Sequence, residues 1–174
     1  MPSSPKWAGC KPVARERRLH PVPEASTITH FTGAALLLDA QGMSLLAEPD
    51  HHPRKRELIA ALKAYEQAGY VAGISVLTIA EERRTGGPAK RLAWWRSQLV
   101  KVPVSEQIAT EAGALLDVTG LTGHRSVADA VVVATAASAP EQARIISSDA
   151  SHIPVLAKAA TDRRRGVPVE FKKV

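Results

Sequence analysis

Short apolar runs alternate along the chain with longer segments in which apolar residues recur at helical spacing. The first run, Ala35 to Leu38 in "ALLLDA", stops at Asp39. A run this short, set between Gly33 and Gly42, fits a buried strand of a parallel sheet better than a helix. Strands are predicted at residues 35–39, 70–76, 100–105, 143–149 and, as an edge strand, 167–171. Asp39 would then lie at the carboxyl end of its strand, where open α/β sheets bind their ligands.

Helical patterns fill the segments between these strands. Residues 54–68, for example, place Leu58, Leu62 and Tyr65 on one face, and Gly69 ends the pattern. Helices are predicted at residues 43–48, 54–68, 77–84, 89–99, 106–120, 126–138 and 151–160. Strands that alternate with helices of this length predict βαβ units. The predicted fold class is therefore α/β, with a central, mainly parallel sheet between two layers of helices.

The size and composition of the chain limit its class. Its 174 residues are enough for one domain with a full hydrophobic core. Hydrophobic residues make up 45% and charged residues 23%, and no apolar stretch approaches the roughly 18 residues of a membrane span. A single cysteine, Cys10, excludes an internal disulfide framework and a multi-cysteine zinc site. We therefore expect a soluble protein of the reducing cytoplasm, without a membrane partner.

The first 33 residues differ in composition from the rest. Residues 1–32 hold five of the twelve prolines and show no periodicity, which predicts a disordered extension over 1–33 and a folded domain over 34–174. Five basic and two acidic residues place +3 of the net charge of +6 in this extension. The domain itself is only mildly basic, so charge alone is weak support for nucleic-acid binding. A start assigned upstream of the true one explains the extension most simply, and an arm that contacts RNA or a partner is the alternative.

Four acidic residues stand at comparable places in this pattern. Asp39 and Asp149 end predicted strands, Glu81 closely follows another strand, and Asp129 lies in the first turn of a predicted helix. Because the ends of parallel strands share one edge of the sheet, these side chains can converge there. Like charges that converge raise one another's pKa unless a cation is present. Carboxylates with few histidines or cysteines suit a hard cation such as Mg²⁺ or Mn²⁺.

Helix capping is the alternative explanation for each of these acids. Two pairs have the spacing of a capping box: Thr78 with Glu81, and Ser126 with Asp129. Asp149 can cap the helix that begins near residue 151, and Asp39 can cap the turn at residues 41–42. Taken singly, the acids are explained by capping as well as by catalysis. Only the joint placement of all four favours a functional site.

Four motifs carry a resemblance to a known family. In order they read "LLLDA", "VLTIAEERRTG", "VADAVVVATAA" and "IISSDASHIPVLA". Their order and spacing over residues 34–173 resemble the PIN domain, and most closely the VapC-type toxins of bacterial toxin–antitoxin pairs. The resemblance implies a PIN-like fold and a metal-dependent endoribonuclease whose acidic quartet is matched by Asp39, Glu81, Asp129 and Asp149. It further implies a homodimer, an RNA substrate and an antitoxin that fills the substrate groove.

The resemblance also implies a role for each acid. Asp39, Asp129 and Asp149 hold one or two Mg²⁺ or Mn²⁺ ions in this interpretation. Glu81 completes the site through water or positions the nucleophile. Glu82 is a rival for this role, and Glu81 is preferred because it directly follows the apolar "VLTIA" of the family's pattern.

Three positions depart from the family's pattern. Ala40 and Gln41 follow the first acid, where relatives usually carry a small hydroxyl residue or a nearby serine. His152 stands where relatives often carry another acid or a polar residue. Because an isolated histidine is more often a surface residue than a ligand, His152 is expected at most to support the site without binding the metal.

Basic and aromatic residues after Glu81 are candidates for RNA binding. The candidates for phosphate contacts are Arg83, Arg84, Lys90, Arg91 and Arg96. A solvated helix face explains such a charge run equally simply. Trp94 and Trp95 can stack on bases, but one of an adjacent pair more often packs into the core or a dimer interface, and we favour packing here. The basic run at residues 163–165 is ambiguous in the same way.

Two other functions fit part of the pattern. A haloacid-dehalogenase-like phosphatase also begins with an aspartate after an apolar strand, but it needs a second aspartate where Gln41 stands. A PIN-like module that binds RNA or a partner protein without cleaving is the non-enzymatic alternative. The four acids oppose this alternative, whereas the residues after Asp39 favour it. Metal dependence separates the two, because a binding module holds RNA equally well in EDTA and releases no fragments.

Overall fold

A parallel sheet of five strands organises residues 30–174, the part of the chain that the computed structural model describes. In chain order the strands are β1 (Ala35–Leu38), β2 (Val71–Ser75), β3 (Val100–Val102), β4 (Ala143–Ser147) and β5 (Val169–Lys173). They lie side by side in the order β3-β2-β1-β4-β5, and each neighbouring pair is parallel. The predicted α/β class is confirmed, and the sheet is parallel throughout. β5 lies at an edge, as its sequence predicts.

Seven helices connect and cover these strands within residues 30–174. They are α1 (Ala40–Ala47), α2 (Pro53–Gln67), α3 (Val76–Glu81), α4 (Gly86–Gln98), α5 (Glu106–Thr119), α6 (His124–Ala137) and α7 (His152–Arg163). Each matches a predicted helix, with ends that differ by a few residues. α1 begins earlier than predicted, because Asp39 caps it and Ala40 joins its first turn. None of these described helices is long and apolar enough to cross a membrane.

Side chains of the central strand point alternately to the two faces of the sheet, and each face carries its own core. Ala35 and Leu37 pack with residues of α5, α6 and α7. Leu36 and Leu38 pack with residues of α1, α2 and α4 on the other face. All four residues are at most 1% exposed, which explains why the run in β1 is apolar without alternation. The fold therefore has three layers, with the sheet between two layers of helices.

The strand order places the carboxyl ends of β1 and β4 at the switch point of the sheet. From β1 the chain extends the sheet in one direction through β2 and β3, and it adds β4 and β5 on the other side of β1. The N–H of Asp39 donates to the backbone oxygen of Ile146 (3.3 Å), so the segments that follow β1 and β4 begin beside each other. In open parallel sheets, ligands bind in the crevice outside such a switch point.

The predicted extension falls largely outside the described part of the chain, which begins at residue 30. Its disorder and the domain boundary after residue 33 therefore stay predictions. Phe31 is described, and it is only 3% exposed within the core on the side of α5, α6 and α7. Its ring lies against β2 at Gly73, where a Cβ would come within 2.8 Å of the ring. Phe31, which lies before the predicted start of the domain at residue 34, thus already packs against the sheet.

Candidate metal centre

Asp39 is the first residue after β1, and it is the N-cap of α1. Its Oδ1 accepts a hydrogen bond from the N–H of Gly42 (2.7 Å), so the side chain caps the helix. A Cβ at position 42 would lie 3.3 Å from the backbone oxygen of Ile146, so glycine lets the first turn of α1 pack closely against β4. The Oδ2 atom of Asp39 accepts a hydrogen bond from Oγ of Ser147, the last residue of β4. One oxygen of Asp39 thus caps α1, and the other links β1 to β4.

Burial gives Asp39 an unusual pKa. The residue is 7% exposed, and burial is the main reason why its pKa rises from 3.8 to about 6. Hydrogen bonds from Ser147 and Gly42 favour the carboxylate and oppose this rise, whereas the negative charge of Asp129 adds to it. Both of these hydrogen-bond donors are neutral groups. The fold therefore holds a buried carboxyl group near another acid, an arrangement that a bound cation stabilises.

Asp149 lies in the turn between β4 and α7. Its Oδ1 accepts hydrogen bonds from the backbone N–H groups of Ser151 (2.7 Å) and His152 (3.1 Å). The N-cap of α7 is Ser151, so Asp149 satisfies a backbone donor at the start of the helix without being its cap residue. The N–H of Asp149 donates to Oγ of Ser147 (2.9 Å), which also contacts Asp39. Partial burial acts to raise the pKa of Asp149, but the hydrogen bonds from Ser151 and His152 and the electrostatic effect of His152 outweigh it. The pKa of Asp149 is therefore lowered.

Asp129 approaches the same edge of the sheet from α6. Its Oδ2 lies 3.0 Å from Nδ1 of His152, and the same nitrogen lies 3.7 Å from Oδ2 of Asp149. One ligand atom from each of these three residues lies within 4.8 Å of the others. The sequence predicts a surface position for His152, and its side chain is 31% exposed. The partly buried ring nevertheless places one nitrogen near two of the predicted acids.

Neither of the two capping boxes considered from the sequence forms. α3 begins after Ser75, so Thr78 lies inside that helix. α6 begins at His124, so Ser126 lies inside it, and Asp129 is in the second turn and not in the first. Helix capping therefore does not explain the acid of either pair.

Two adjacent glutamates at the end of α3 have different surroundings. Glu81 is exposed, yet partial burial of its carboxyl group and the negative charge of Asp129 raise its pKa. Glu82 is 8% exposed, and its Oε1 accepts a hydrogen bond from Nε of Arg84 (2.6 Å). Arg96 donates to the backbone oxygen of the same residue (2.6 Å). Glu81 therefore interacts electrostatically with another acid of the quartet, whereas the carboxylate of Glu82 pairs with an arginine.

The four predicted acids are grouped around Asp129. The charge of Asp129 acts on Asp39 and on Glu81, and its carboxylate shares His152 with Asp149. Carboxylate oxygens together with one imidazole nitrogen form a donor set for a divalent cation. The chemistry of these side chains therefore fits a divalent metal ion.

Ser147 and Gly42 are parts of this site that the sequence analysis missed. Ser147 is fully buried and contacts two of the acids. Its signal is present in "IISSD", where a hydroxyl residue ends a buried strand two positions before an acid. Gly42 stands three residues after Asp39, at the position whose N–H a capping side chain reaches.

Most of the basic residues proposed for RNA contacts are engaged within the protein. Arg84 pairs with Glu82, as described above, and Arg96 donates to that residue's backbone oxygen. Arg91 donates to a backbone oxygen of α1 (2.6 Å). Arg83 and Lys90 are exposed. Three of the five candidates thus have structural roles, and RNA contacts stay a prediction for all five.

The remaining candidates for RNA contacts also meet other protein groups. Trp95 is half-buried beside the core under α2 and α4, and Trp94 is 57% exposed. Their rings meet edge to face with centroids 4.7 Å apart. In the basic run near the end of the chain, Arg163 makes two hydrogen bonds to Glu111 (2.7 and 2.9 Å), and Arg164 donates to backbone oxygens. One tryptophan therefore packs, as favoured from the sequence, although only in part.

Comparison with solved structures supports the fold. A chain in the crystal structure of VapBC2 from Rickettsia felis, bound to a DNA fragment from their promoter, is similar over 80% of this chain and 98% of that chain. The TM-score is 0.54 and the sequence identity is 14%, so the similarity lies in the fold. No protein-family model and no curated protein sequence matches this chain. The predicted PIN-like α/β fold is confirmed by this structural similarity and by the topology.

Proposed function

We propose that this protein is a metal-dependent endoribonuclease and the toxin of a toxin–antitoxin pair. One observation carries the proposal: four acids group at the switch point of a parallel sheet whose fold is similar to that of a VapBC2 chain. The four acids are Asp39, Glu81, Asp129 and Asp149. The raised pKa of Asp39 and of Glu81 supports a functional site, because perturbed carboxyl groups cluster at such sites.

Each acid has a role in the proposed reaction. Asp39, Asp129 and Asp149 hold one or two Mg²⁺ or Mn²⁺ ions. When bound, such an ion lowers the pKa of water and stabilises charge on the phosphate oxygens. Ser147 orients Asp39 through a hydrogen bond, which fixes the direction of a ligand oxygen. Glu81 positions the attacking water, and its raised pKa makes it a better proton acceptor than an ordinary glutamate.

RNA binding is assigned to exposed groups that follow Glu81 in the chain. Arg83 and Lys90 follow Glu81 in the chain and are exposed, so they can contact phosphates. Trp94 is 57% exposed, and its ring can stack on an unpaired base. The proposal also includes a homodimer and an antitoxin that fills the substrate groove. The similar chain comes from a VapBC2 complex, which supports an antitoxin as partner.

Incubation of the purified protein with total bacterial RNA tests the proposal. The reactions contain Mg²⁺, Mn²⁺ or EDTA and use the wild type, Asp129→Asn or Asp117→Asn. Asp117 is an exposed acid on α5 and serves as the matched control. We expect discrete fragments with metal from the wild type and from Asp117→Asn. The Asp129→Asn variant should lose on the order of 100-fold or more of the rate, because it removes a direct ligand.

Two outcomes would separate the alternatives. Cleavage that persists in EDTA, or that proceeds at the wild-type rate in Asp129→Asn, contradicts the proposed site. Intact RNA in every reaction, from folded protein that binds Mn²⁺, favours the PIN-like module that binds RNA or a partner without cleaving. A gel-shift assay would then show equal RNA binding in Mg²⁺ and in EDTA.

A further inference from the structure

His152 lies in the acidic site, although its sequence pattern does not predict it as a metal ligand. It is the first residue of α7, and its N–H is held by Oδ1 of Asp149 (3.1 Å). This hydrogen bond fixes the backbone from which the imidazole reaches the site. Nδ1 then lies 3.0 Å from Oδ2 of Asp129 and 3.7 Å from Oδ2 of Asp149. One nitrogen and two carboxylate oxygens therefore face one another from two elements of the fold.

These separations are suited to a shared ion. Two ligand atoms at right angles around an ion, each about 2.1 Å from it, lie about 3.0 Å apart. The distance from Nδ1 of His152 to Oδ2 of Asp129 equals this value at 3.0 Å. The distance from the same nitrogen to Oδ2 of Asp149 is longer, at 3.7 Å. The three ligand atoms all lie within 4.8 Å of one another. Small adjustments of these partly buried side chains can therefore bring all three onto one cation.

The chemistry of the imidazole bears on which cation is favoured. Imidazole nitrogen binds transition-metal ions well, whereas Mg²⁺ prefers oxygen ligands and water. A site of carboxylates alone accepts Mg²⁺ and Mn²⁺ on similar terms. A site that adds one nitrogen favours Mn²⁺ and the later transition metals over Mg²⁺.

We propose that Nδ1 of His152 is a direct metal ligand, together with Asp129 and Asp149, and that it makes this centre prefer Mn²⁺ over Mg²⁺. The inference rests on the proposed metal centre and concerns the identity of its ion. Metal binding through Nδ1 places the ring proton on Nε2, and the ion replaces the contact between Nδ1 and Asp129. The competing role is that of a positioning residue, in which Nδ1–H donates to Asp129 and only oxygen atoms bind the metal.

Pulsed electron paramagnetic resonance of the Mn²⁺-loaded full chain distinguishes these roles, because electron spin-echo modulation detects a nitrogen bonded to Mn²⁺. We expect nitrogen modulation in the wild type, its loss in His152→Asn and its retention in His51→Asn, an exposed histidine between α1 and α2. Calorimetric titrations should show that His152→Asn weakens Mn²⁺ binding about tenfold or more and Mg²⁺ binding less than about threefold. The His152→Asp variant should regain Mg²⁺ binding but not the nitrogen modulation.

The wild-type spectrum can overturn the inference by itself, whether or not a variant folds. Wild-type protein without nitrogen modulation overturns it, whether Mn²⁺ binds through oxygen atoms only or does not bind. Modulation that persists in a folded His152→Asn variant assigns the nitrogen to another residue and also overturns it. RNA cleavage is scored separately. Metal-dependent cleavage without nitrogen modulation supports the proposed function and overturns the role of His152 as a ligand. Nitrogen modulation without cleavage supports His152 as a metal ligand and contradicts the proposed function.

Discussion

Two buried acids of this protein, Asp39 and Glu82, have almost the same exposure and opposite surroundings. Asp39 is 7% exposed and Glu82 is 8% exposed. The carboxylate of Glu82 is paired with the guanidinium of Arg84. Asp39 receives its hydrogen bonds from a hydroxyl and a backbone amide and lies near the negative charge of Asp129, and its pKa rises to about 6. The burial of Glu82 is thus compensated by the opposite charge of Arg84. The hydroxyl and amide groups that contact Asp39 are neutral, so they do not compensate its burial in this way.

The same contrast separates the wider regions around the two acids. Between α1, α2 and α4, Lys55 is 1% exposed, and its Nζ donates to the backbone oxygen of Glu48 (2.7 Å) and to Asp50 (2.8 Å). At the edge of the sheet, Asp39 and Glu81 both have a raised pKa. Raised values mean that folding disfavours the charged form of these groups. The region around Lys55 neutralises its buried charge internally, and the raised pKa values at the edge of the sheet support the proposed cation site.

The largest expected effect is on stability, and it comes from Asp39→Asn in EDTA. Asp39 ionises at 3.8 in the unfolded chain and at about 6 in the folded protein. The folded state therefore binds the proton more tightly, and the free energy of unfolding falls as the pH rises between these two values. At pH 8 the ionised carboxylate costs about 3 kcal/mol. Urea denaturation should show Asp39→Asn to be more stable than the wild type by about that amount at pH 8 and by little at pH 4.

Metal and a matched control sharpen this prediction. Saturating Mn²⁺ should reverse the order at pH 8, because the wild type keeps a ligand that the variant lacks. Asp117→Asn, at an exposed position on α5, should change stability little at either pH. An equal gain for Asp39→Asn at pH 4 and pH 8 would show that the charge of Asp39 is not its cause.

The second prediction compares the adjacent residues Glu81 and Glu82, of which the first belongs to the acidic site and the second to the region stabilised by ion pairs. Glu81→Gln removes a charge from the site and should lower RNA cleavage about 10- to 100-fold without loss of stability. Glu82→Gln removes the partner of a half-exposed arginine, so it should cost about 1 kcal/mol of stability and change cleavage little. Cleavage assays and urea denaturation of both variants give the comparison. Loss of activity in Glu82→Gln and not in Glu81→Gln would reverse the assignment.

The third prediction concerns Lys55→Met, which affects stability and not the acidic site. The methionine keeps the apolar stem but leaves the backbone oxygen of Glu48 without the hydrogen bond from Nζ. The ion pair with Asp50 adds little, because Asp50 is 92% exposed. We expect a loss of about 1–2 kcal/mol in the free energy of unfolding, with Mn²⁺ binding unchanged. A change in Mn²⁺ affinity would show that the two regions are coupled.

The sequence predicts the layers of this fold well because local patterns decide them. The run in β1 is apolar at every position since both faces of the strand are covered. Helix starts are harder to predict because hydroxyl residues repeat. Ser75 and Thr78 both match a cap for α3, and the chain uses Ser75, whose Oγ accepts from the N–H of Leu77 (3.3 Å). Because Ser75 is the cap, Glu81 lies at the end of α3 and does not accept a hydrogen bond from a backbone N–H at the start of the helix.

Contacts within the site depend on packing between distant segments, and the sequence cannot predict them. The hydrogen bond between Ser147 and Asp39 joins residues 108 positions apart, and it exists because Leu38 pairs with Ile146 in the parallel register of β1 and β4. The contact of His152 with Asp129 depends in turn on how α7 leaves the sheet beside α6. Residue type and motif order predict which acids converge, and only the packed structure shows what each acid contacts.

Calorimetric titration of Mn²⁺ into the metal-free protein tests most directly whether the acidic edge is built for a cation. The wild type and Asp117→Asn should bind one or two ions per chain in a saturable manner at pH 7.5. Asp129→Asn, which changes the acid whose charge acts on both Asp39 and Glu81, should bind at least about tenfold more weakly. Absence of saturable binding to the wild type, or unchanged affinity in a folded Asp129→Asn variant, would contradict the account.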